Sequence, residues 1–317
     1  MQVLPDEHVH ILRLRPRIPQ RIAGVYPHSG GATRGRERRG GGGRRRPRVG
    51  GVTPDELLTA YDDQLRTDAE MARASEVGRD GPLFRAVFDH GGFVSYRDLG
   101  GLEGPALDDL IGRTVAHFRD DTEVESFEWK SRGHDLPADL GDRLLAHGLV
   151  PEPVETVMIG EASLLAVDVP LAATPEGPVV VRRIEPGAGA VDDLTRMLAA
   201  QESVFGGGRG PSVASSLAEL ESGASEYWIA EVGDRVVCGG RLTPVEGTEF
   251  AGIWGGSTLP EFRGRGIYRA LVAARAGSAM ARGVRLIHSD CTDMSRPILE
   301  RSGLQAVTTT TPYVWVR

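Results

Sequence analysis

Residues Pro260 to Leu271 read PEFRGRGIYRAL, two glycines and two arginines at the mouth of a helix-forming run. Pro260 blocks continuation of the strand predicted over 249–258, and Ile267, Leu271, Ala274 and Ser278 share one face of a helix predicted over 266–282. The first turn of a helix leaves backbone N–H groups unpaired and partially positive, so anions settle there. Gly264 and Gly266 let that backbone approach an anion with no Cβ in the way, while Arg263 and Arg265 add positive charge.

The rest of the chain sets the context for this mouth. Of its 317 residues, 40% are hydrophobic and 26% charged, a globular composition. Residues 1 to 50 hold twelve arginines against Asp6, Glu7 and Glu37, a balance of +9, so the total of -7 leaves -16 on the remaining residues. The glycine-arginine stretch 29–51 has almost nothing to bury and is expected to be an unstructured tail. It lacks the interleaved aromatics that would stack on single-stranded nucleic acid, so nucleic acid is not an expected partner. Lys130 is the only lysine. Cys238 and Cys291 are the only cysteines, too few for a disulfide framework or a zinc site, which fits a reducing compartment. With no run of about 18 apolar residues, the chain is expected to be cytoplasmic, with no membrane partner.

The pattern of elements predicts two halves of mixed α/β architecture. The first begins at Thr53, where Thr-Pro-Asp-Glu supplies a helix cap, a proline at the first helical position and acids in the first turn. A helix over 54–74, strands near 83–88 and 93–96, a helix over 106–118, a strand over 124–130, a helix over 138–147 and a strand over 154–160 follow. A small, apolar, proline-punctuated stretch then reads as a linker. The second half runs strand 179–184, helices 190–204 and 212–222, three strands over 226–232, 235–243 and 249–258, the motif helix, strand 284–289, helix 294–302 and two terminal strands. RLLAHGL at 143–149 and ILERSGL at 298–304 are both helix ends stopped by glycine, which suggests a duplication.

Other phosphate loops fit the quoted stretch poorly. A nucleotide P-loop ends in Gly-Lys-Ser/Thr, and this one ends in Gly-Ile-Tyr. A dinucleotide fingerprint would place its third glycine at Arg269, and the 27 residues after Asp290 are too few to complete a doubly wound sheet. Arg263-Gly264-Arg265-Gly266-Ile267-Tyr268 instead resembles the R-x-x-G-x-G/A pyrophosphate signature of the GNAT superfamily of N-acetyltransferases, departing from it only at Tyr268. The resemblance covers residues 179–317 and includes the order of elements. The first half resembles a degenerate copy of the same fold. The organisation implied is a tail over 1–52, a degenerate GNAT-like domain over 53–165, a linker over 166–178 and a GNAT domain over 179–317, with a mostly antiparallel central sheet flanked by helices.

The resemblance carries site expectations with it. The backbone of Ser257, Thr258 and Leu259 would grip the pantetheine arm of acetyl-CoA, the N–H near Thr258 would polarise the thioester carbonyl, and Arg263 to Tyr268 would hold the pyrophosphate. Ser295 occupies a further coenzyme-contacting neighbourhood. Glu249 is the candidate general base, with His288 and Asp290 behind it, and alternation leaves open whether His288 or Ser289 faces the site. The family's thiol-protonating tyrosine falls on Leu299 here. Trp254 and Trp315 are expected to line the acceptor cleft. In the first half, Asp98 and Glu103 flank the corresponding helix mouth and would repel a pyrophosphate, so one coenzyme site is expected, in the second half. Glu128-Trp129-Lys130 and His134-Asp135 read as structural or as an interface between the halves. The implied activity is acetyl transfer from acetyl-CoA to a primary amine of a small molecule or peptide, with no metal. The alternative is a catalytically inactive acyl-CoA sensor.

Overall fold

A computed structural model describes residues 52–88, 91–206 and 211–317; the glycine-arginine tail lies outside them. The first half comprises α1 (Pro54–Gln64), β1 (Glu76–Asp80), β2 (Leu83–Phe88), β3 (Gly91–Ser95), α2 (Gly104–Asp120), β4 (Ser126–Arg132), α3 (Leu140–Ala146), β5 (Val150–Pro151), β6 (Glu155–Glu161) and α4 (Ala162–Leu165). The second comprises β7 (Val179–Arg183), α5 (Ala190–Phe205), α6 (Val213–Glu221), β8 (Glu226–Val232), β9 (Arg235–Pro244), β10 (Phe250–Thr258), α7 (Ile267–Ala281), β11 (Leu286–Cys291), α8 (Arg296–Ser302) and β12 (Gln305–Val316).

Local chemistry sets the ends of these elements. At α1, the Glu56 amide donates to the Thr53 hydroxyl at 3.3 Å, and the Thr53 amide donates back to the Glu56 carboxylate at 2.8 Å. The helix stops at Gln64, ten residues short of the predicted end, and a separate 3-10 turn over Asp68–Met71 follows. The matched helix ends of the two halves close identically: the Leu149 amide donates to the Leu144 carbonyl and the Leu304 amide to the Leu299 carbonyl, both at 3.1 Å. α7 is less amphipathic than its sequence suggests, because Ile267, Ala270, Leu271, Val272, Ala273, Arg275, Ala276 and Ala279 are all buried.

The strands form one sheet in the order β1-β2-β3-β4-β12-β6-β11-β10-β9-β8-β7, with β5 paired beside β12. Among the described residues only β3–β4 and β10–β11 are parallel, each pair joined through a crossover helix, α2 or α7. Read from its centre outward, the order is nearly symmetric: β6 and β12 lie side by side, then β11 mirrors β4, β10 mirrors β3 and β9 mirrors β2. The last strand of each half is therefore exchanged. β6 pairs with β11 of the second half, and β12 pairs with β4 of the first. The two terminal strands expected from sequence are this one 12-residue strand, with a register shift between Ala306 and Thr308. Its first part faces β6 and its second part β4, and that change of partner mimics two elements.

Two layers of helices cover the sheet. α1, α5 and α6 lie on one face, with Leu57, Tyr61 and Leu65 of the first half packed against Val157, Ile159, Phe250 and Leu286. On the other face α7 and α8 bury Met158, Ala251, Ile253 and Leu299, while α2 and α3 close the first half around Phe118, Phe127 and Trp129. Among the described residues no helix is long and apolar enough to cross a membrane.

Candidate functional site

The quoted stretch folds as an open row of amides. Gly264 and Gly266 adopt φ of 74° and 79°, a left-handed conformation that costs another residue about 1 kcal/mol. Gly266 occupies the cap position of α7 and brings no side chain to it. The Arg263 amide donates to the Pro260 carbonyl at 3.2 Å and the Ala270 amide to the Gly266 carbonyl at 2.9 Å. Between them, the amides of Gly264, Arg265, Gly266, Ile267 and Tyr268 find no acceptor among the described residues. The turn's one carboxylate, Glu261, is paired with Arg235, and the Arg265 guanidinium lies over the Phe262 ring. The mouth is thus electropositive by dipole and by side chain. Linker residues border it: a Cβ on Gly266 would stand 3.8 Å from Leu171 and 3.9 Å from Val169. Val169 and Leu171, with Ala270, Ala274 and Gly277 of α7, line an open apolar pocket of about 350 Å³.

β10 presents an open edge beside this mouth. Its ladder with β11 ends at Gly252 opposite His288, and both strands run on past that point. On the other side, the Leu259 amide donates to the Val237 carbonyl at 2.9 Å, while Ser257 and Thr258 pair with Gly239 and Cys238. Alternation along the ladder then turns the Thr258 N–H away from β9, toward the gap. The Thr258 carbonyl on the same edge accepts from Arg263 Nε at 3.0 Å. A bulge between Trp254 and Ser257 opens the strand further, and Gln201 of α5 donates to the Gly255 carbonyl at 2.6 Å.

Tyr268 fills the α7 side of the gap, and Arg275 lies beside it at the β9–β10 bulge. A Cβ on Gly256 would lie 2.6 Å from the Tyr268 ring, so glycine is what lets the ring lie against β10. Burial raises the Tyr268 hydroxyl above its usual pKa, and the nearby Arg275 cation opposes that rise. Ser295, at the start of α8, stands beside the same hydroxyl. Arg275 is fully buried and donates to the carbonyls of Leu271 and Arg241, leaving Nη2 without a partner among the described residues. Leu299 is in the core.

The opposite face carries His288, resolving the alternation: the Ser289 hydroxyl turns to the α7 side and donates to the Ile253 carbonyl at 3.0 Å. The His288 ring meets Trp254 edge to face with centroids 5.1 Å apart. Burial lowers its pKa to about 4, so it is neutral at pH 7, and neither ring nitrogen has a partner among the described residues. Trp315 lies elsewhere, stacked on Phe127 in the first half.

Glu249 is not brought to the gap. It lies ahead of β10, nine positions before Thr258 and so roughly 30 Å along the strand. Hydrogen bonds from Arg285 and Gln64 lower its pKa to about 2, and the Arg285 pair is 2.7 Å long. A carboxylate so held makes a poor base. Sequence reasoning did not single out Gln201 or Arg275. Gln201 carries no signal in an ordinary helical stretch, whereas an arginine one turn after Leu271 on a buried face is a signal.

Residues 195–299 match the model of the Acetyltransferase (GNAT) family. These residues form a GNAT domain. The match spans α5 to α8, and so includes the amide row, β10 and the gap. No curated protein sequence matches the chain significantly. Among solved structures, a GCN5-related N-acetyltransferase from Kribbella flavida superposes with a TM-score of 0.56 at 14% identity, over 83% of this chain and 95% of that one. One from Sphaerobacter thermophilus gives 0.52 at 18%, over 74% and 76%. A tandem GNAT protein from the clavulanic acid biosynthesis pathway gives 0.52 at 15%, over 84% and 97%. At these identities the likeness is one of fold, and it extends over both halves, as the near-symmetry of the sheet requires.

The first half holds a structural counterpart of this gap in altered form. The β3–β4 ladder ends at Val94 opposite Trp129, and a cavity of about 630 Å³ opens beyond it. The Asp98 carboxylate accepts from the Gly100 amide at 2.8 Å, which puts an anion of the protein's own on the loop. Arg66, almost fully buried, donates to the Tyr96 carbonyl at 3.0 Å and to Asp135 at 2.6 Å. Among the described residues no cluster of three or more His, Cys, Asp or Glu side chains could hold a metal ion.

Proposed function

We propose that the second half transfers the acetyl group of acetyl-CoA to a primary amine of a small molecule or peptide by direct attack of the amine on the thioester. The observation that carries this reading is the row of five amides from Gly264 to Tyr268, unpaired at a helix N-terminus and free of any competing carboxylate. These amides, with Arg263 and Arg265, would hold the pyrophosphate. The pantetheine arm would run along the open edge of β10 past Ser257, Thr258 and Leu259, beside Ser295, and the Thr258 N–H would face the thioester carbonyl oxygen. Attack needs a neutral amine, whereas a free alkyl ammonium has a pKa near 10, so the site must remove a proton. His288, at the end of the β10–β11 ladder and with both ring nitrogens unpartnered among the described residues, is better placed than Glu249 to pass that proton on to water. A transfer assay following free thiol release from acetyl-CoA across an amine panel tests the reading. Turnover with at least one amine supports it.

One observation favours a second reading, an acyl-CoA sensor without turnover. Tyr268 stands where the GNAT signature has glycine or alanine, and its ring lies against Gly256 on the proposed pantetheine path. Coenzyme binding without thiol release for every amine favours the sensor.

A further inference from the structure

The exchange of β6 and β12 places charged side chains of both halves on the sheet face that carries His288. From β4 come Glu128, Lys130 and Arg132, from β6 Glu155, and from β11 Asp290. Each cation here already has its carboxylate: Lys130 is 2.7 Å from Asp290, and Arg132 is 2.8 Å from Glu70. Glu128 and Glu155 are left over. Both are partly buried, and neither forms an ion pair among the described residues. Burial raises the pKa of each, Lys130 partly opposes this at both, and neighbouring carboxylates add to the rise. A surplus of carboxylate in a desolvated site is costly unless a cation arrives.

A second, independent observation points the same way. His288 is 7% exposed with both ring nitrogens unpartnered among the described residues, and Asp290 keeps its Oδ1 unpartnered while Oδ2 holds Lys130. Buried polar atoms of this kind normally meet a ligand or water. His288 stands where the β10–β11 ladder ends, next to the gap, and Asp290 is two residues further along β11.

We infer that this sheet face, shared by the two halves, binds a dibasic amine: one ammonium sits on the surplus carboxylates Glu128 and Glu155 contributed by the first half, and a second amine lies at Asp290 and His288 beside the gap. The inference deepens the transferase reading by naming its acceptor class, and rests on that reading only for calling the bound amine an acceptor. It also assigns the first half a task, selection by charge, that needs no coenzyme of its own. Acceptors bearing a carboxylate or phosphate are disfavoured by the same surplus.

The test is calorimetric titration of the full chain with pentane-1,5-diamine and, separately, with n-pentylamine, alongside acetyl-CoA. The diamine is expected to bind about tenfold tighter or more than the monoamine. The Glu128→Gln/Glu155→Gln double variant is expected to bring that ratio near one while leaving acetyl-CoA affinity unchanged; Glu155→Gln alone, at the more open strand start, serves if the double variant does not fold. Equal binding of the two amines, no binding of the diamine, or a ratio that survives the substitutions overturns the inference. Acetyl-CoA binding with no diamine preference sinks the dibasic-amine site and leaves the transferase reading standing. A diamine preference without acetyl-CoA binding sinks the transferase reading and leaves the amine site.

Discussion

The loop that opens α2 and the loop that opens α7 are built alike and charged oppositely. Both follow a parallel strand at the end of its ladder, and both turn on left-handed glycines, Gly100, Gly101 and Gly104 in one and Gly264 and Gly266 in the other. In the first, Asp98 accepts from the Gly100 amide, Glu103 stands at the cap and Pro105 removes an N–H from the first turn. In the second, five successive amides stand open and the nearby carboxylate is tied to Arg235. The gaps beyond them differ in the same sense. The first is bridged by Arg66 bound to Asp135, whose other oxygen accepts from the Tyr96 hydroxyl at 2.6 Å and the Arg132 amide at 2.7 Å; the second holds one aromatic ring. One backbone plan thus supports a locked ion-pair network or an open row of amides, according to a few side chains.

The largest expected effect lies in the locked half. Asp135→Ala leaves Arg66 as a buried cation short of its main partner, which should cost about 3–5 kcal/mol of folding stability by chemical denaturation. Acetyl-CoA affinity per folded molecule should not change; a fall in affinity would mean that the first half contributes to coenzyme binding.

Next comes conversion of the open loop toward its acidic counterpart. Gly266→Asp should weaken acetyl-CoA binding about 100-fold or more, near 3 kcal/mol, because a carboxylate then faces the pyrophosphate. Gly266→Ala separates charge from strain: it should lower stability by about 1 kcal/mol and leave affinity within a few-fold.

A smaller effect is expected from Tyr268→Ala, which clears the ring from Gly256. Coenzyme affinity should rise about threefold, under 1 kcal/mol. A fall instead would mean that the ring grips the coenzyme.

The smallest belongs to Glu249. Its pair with Arg285 is half exposed, so Glu249→Gln should cost well under 1 kcal/mol and leave turnover unchanged. Because the folded-state pKa is depressed to about 2, the wild-type advantage is present above the ordinary carboxylate pKa of about 4.5 and fades as pH falls toward 2. A turnover loss of tenfold or more would restore Glu249 as the base.

Elements defined by local pattern were legible in the sequence. Thr53 and Glu56 marked a helix start, Gly148 and Gly303 two helix ends, and Gly264 with Gly266 a left-handed turn ahead of α7. Long-range pairing was not. Nothing local in β6 or in the threonine run of β12 says that each belongs beside the other half, since the register of β12 is settled by pairs 146 to 190 residues apart. For the same reason Lys130 and Asp290 could be named as residues but not as partners. Glu249 looked catalytic by its place in sequence, while its neighbour Arg285, 36 residues on, fixed it elsewhere. The ring of Tyr268 was hidden because sequence places an amide on a loop more reliably than it aims a side chain.

The most direct test of the open amide row is calorimetric titration of acetyl-CoA into the full chain and into its Gly266→Asp variant. One molecule bound per wild-type chain, with binding lost in the variant, is the predicted result. No binding to the wild type, two equivalent sites, or an affinity indifferent to Gly266→Asp would contradict it.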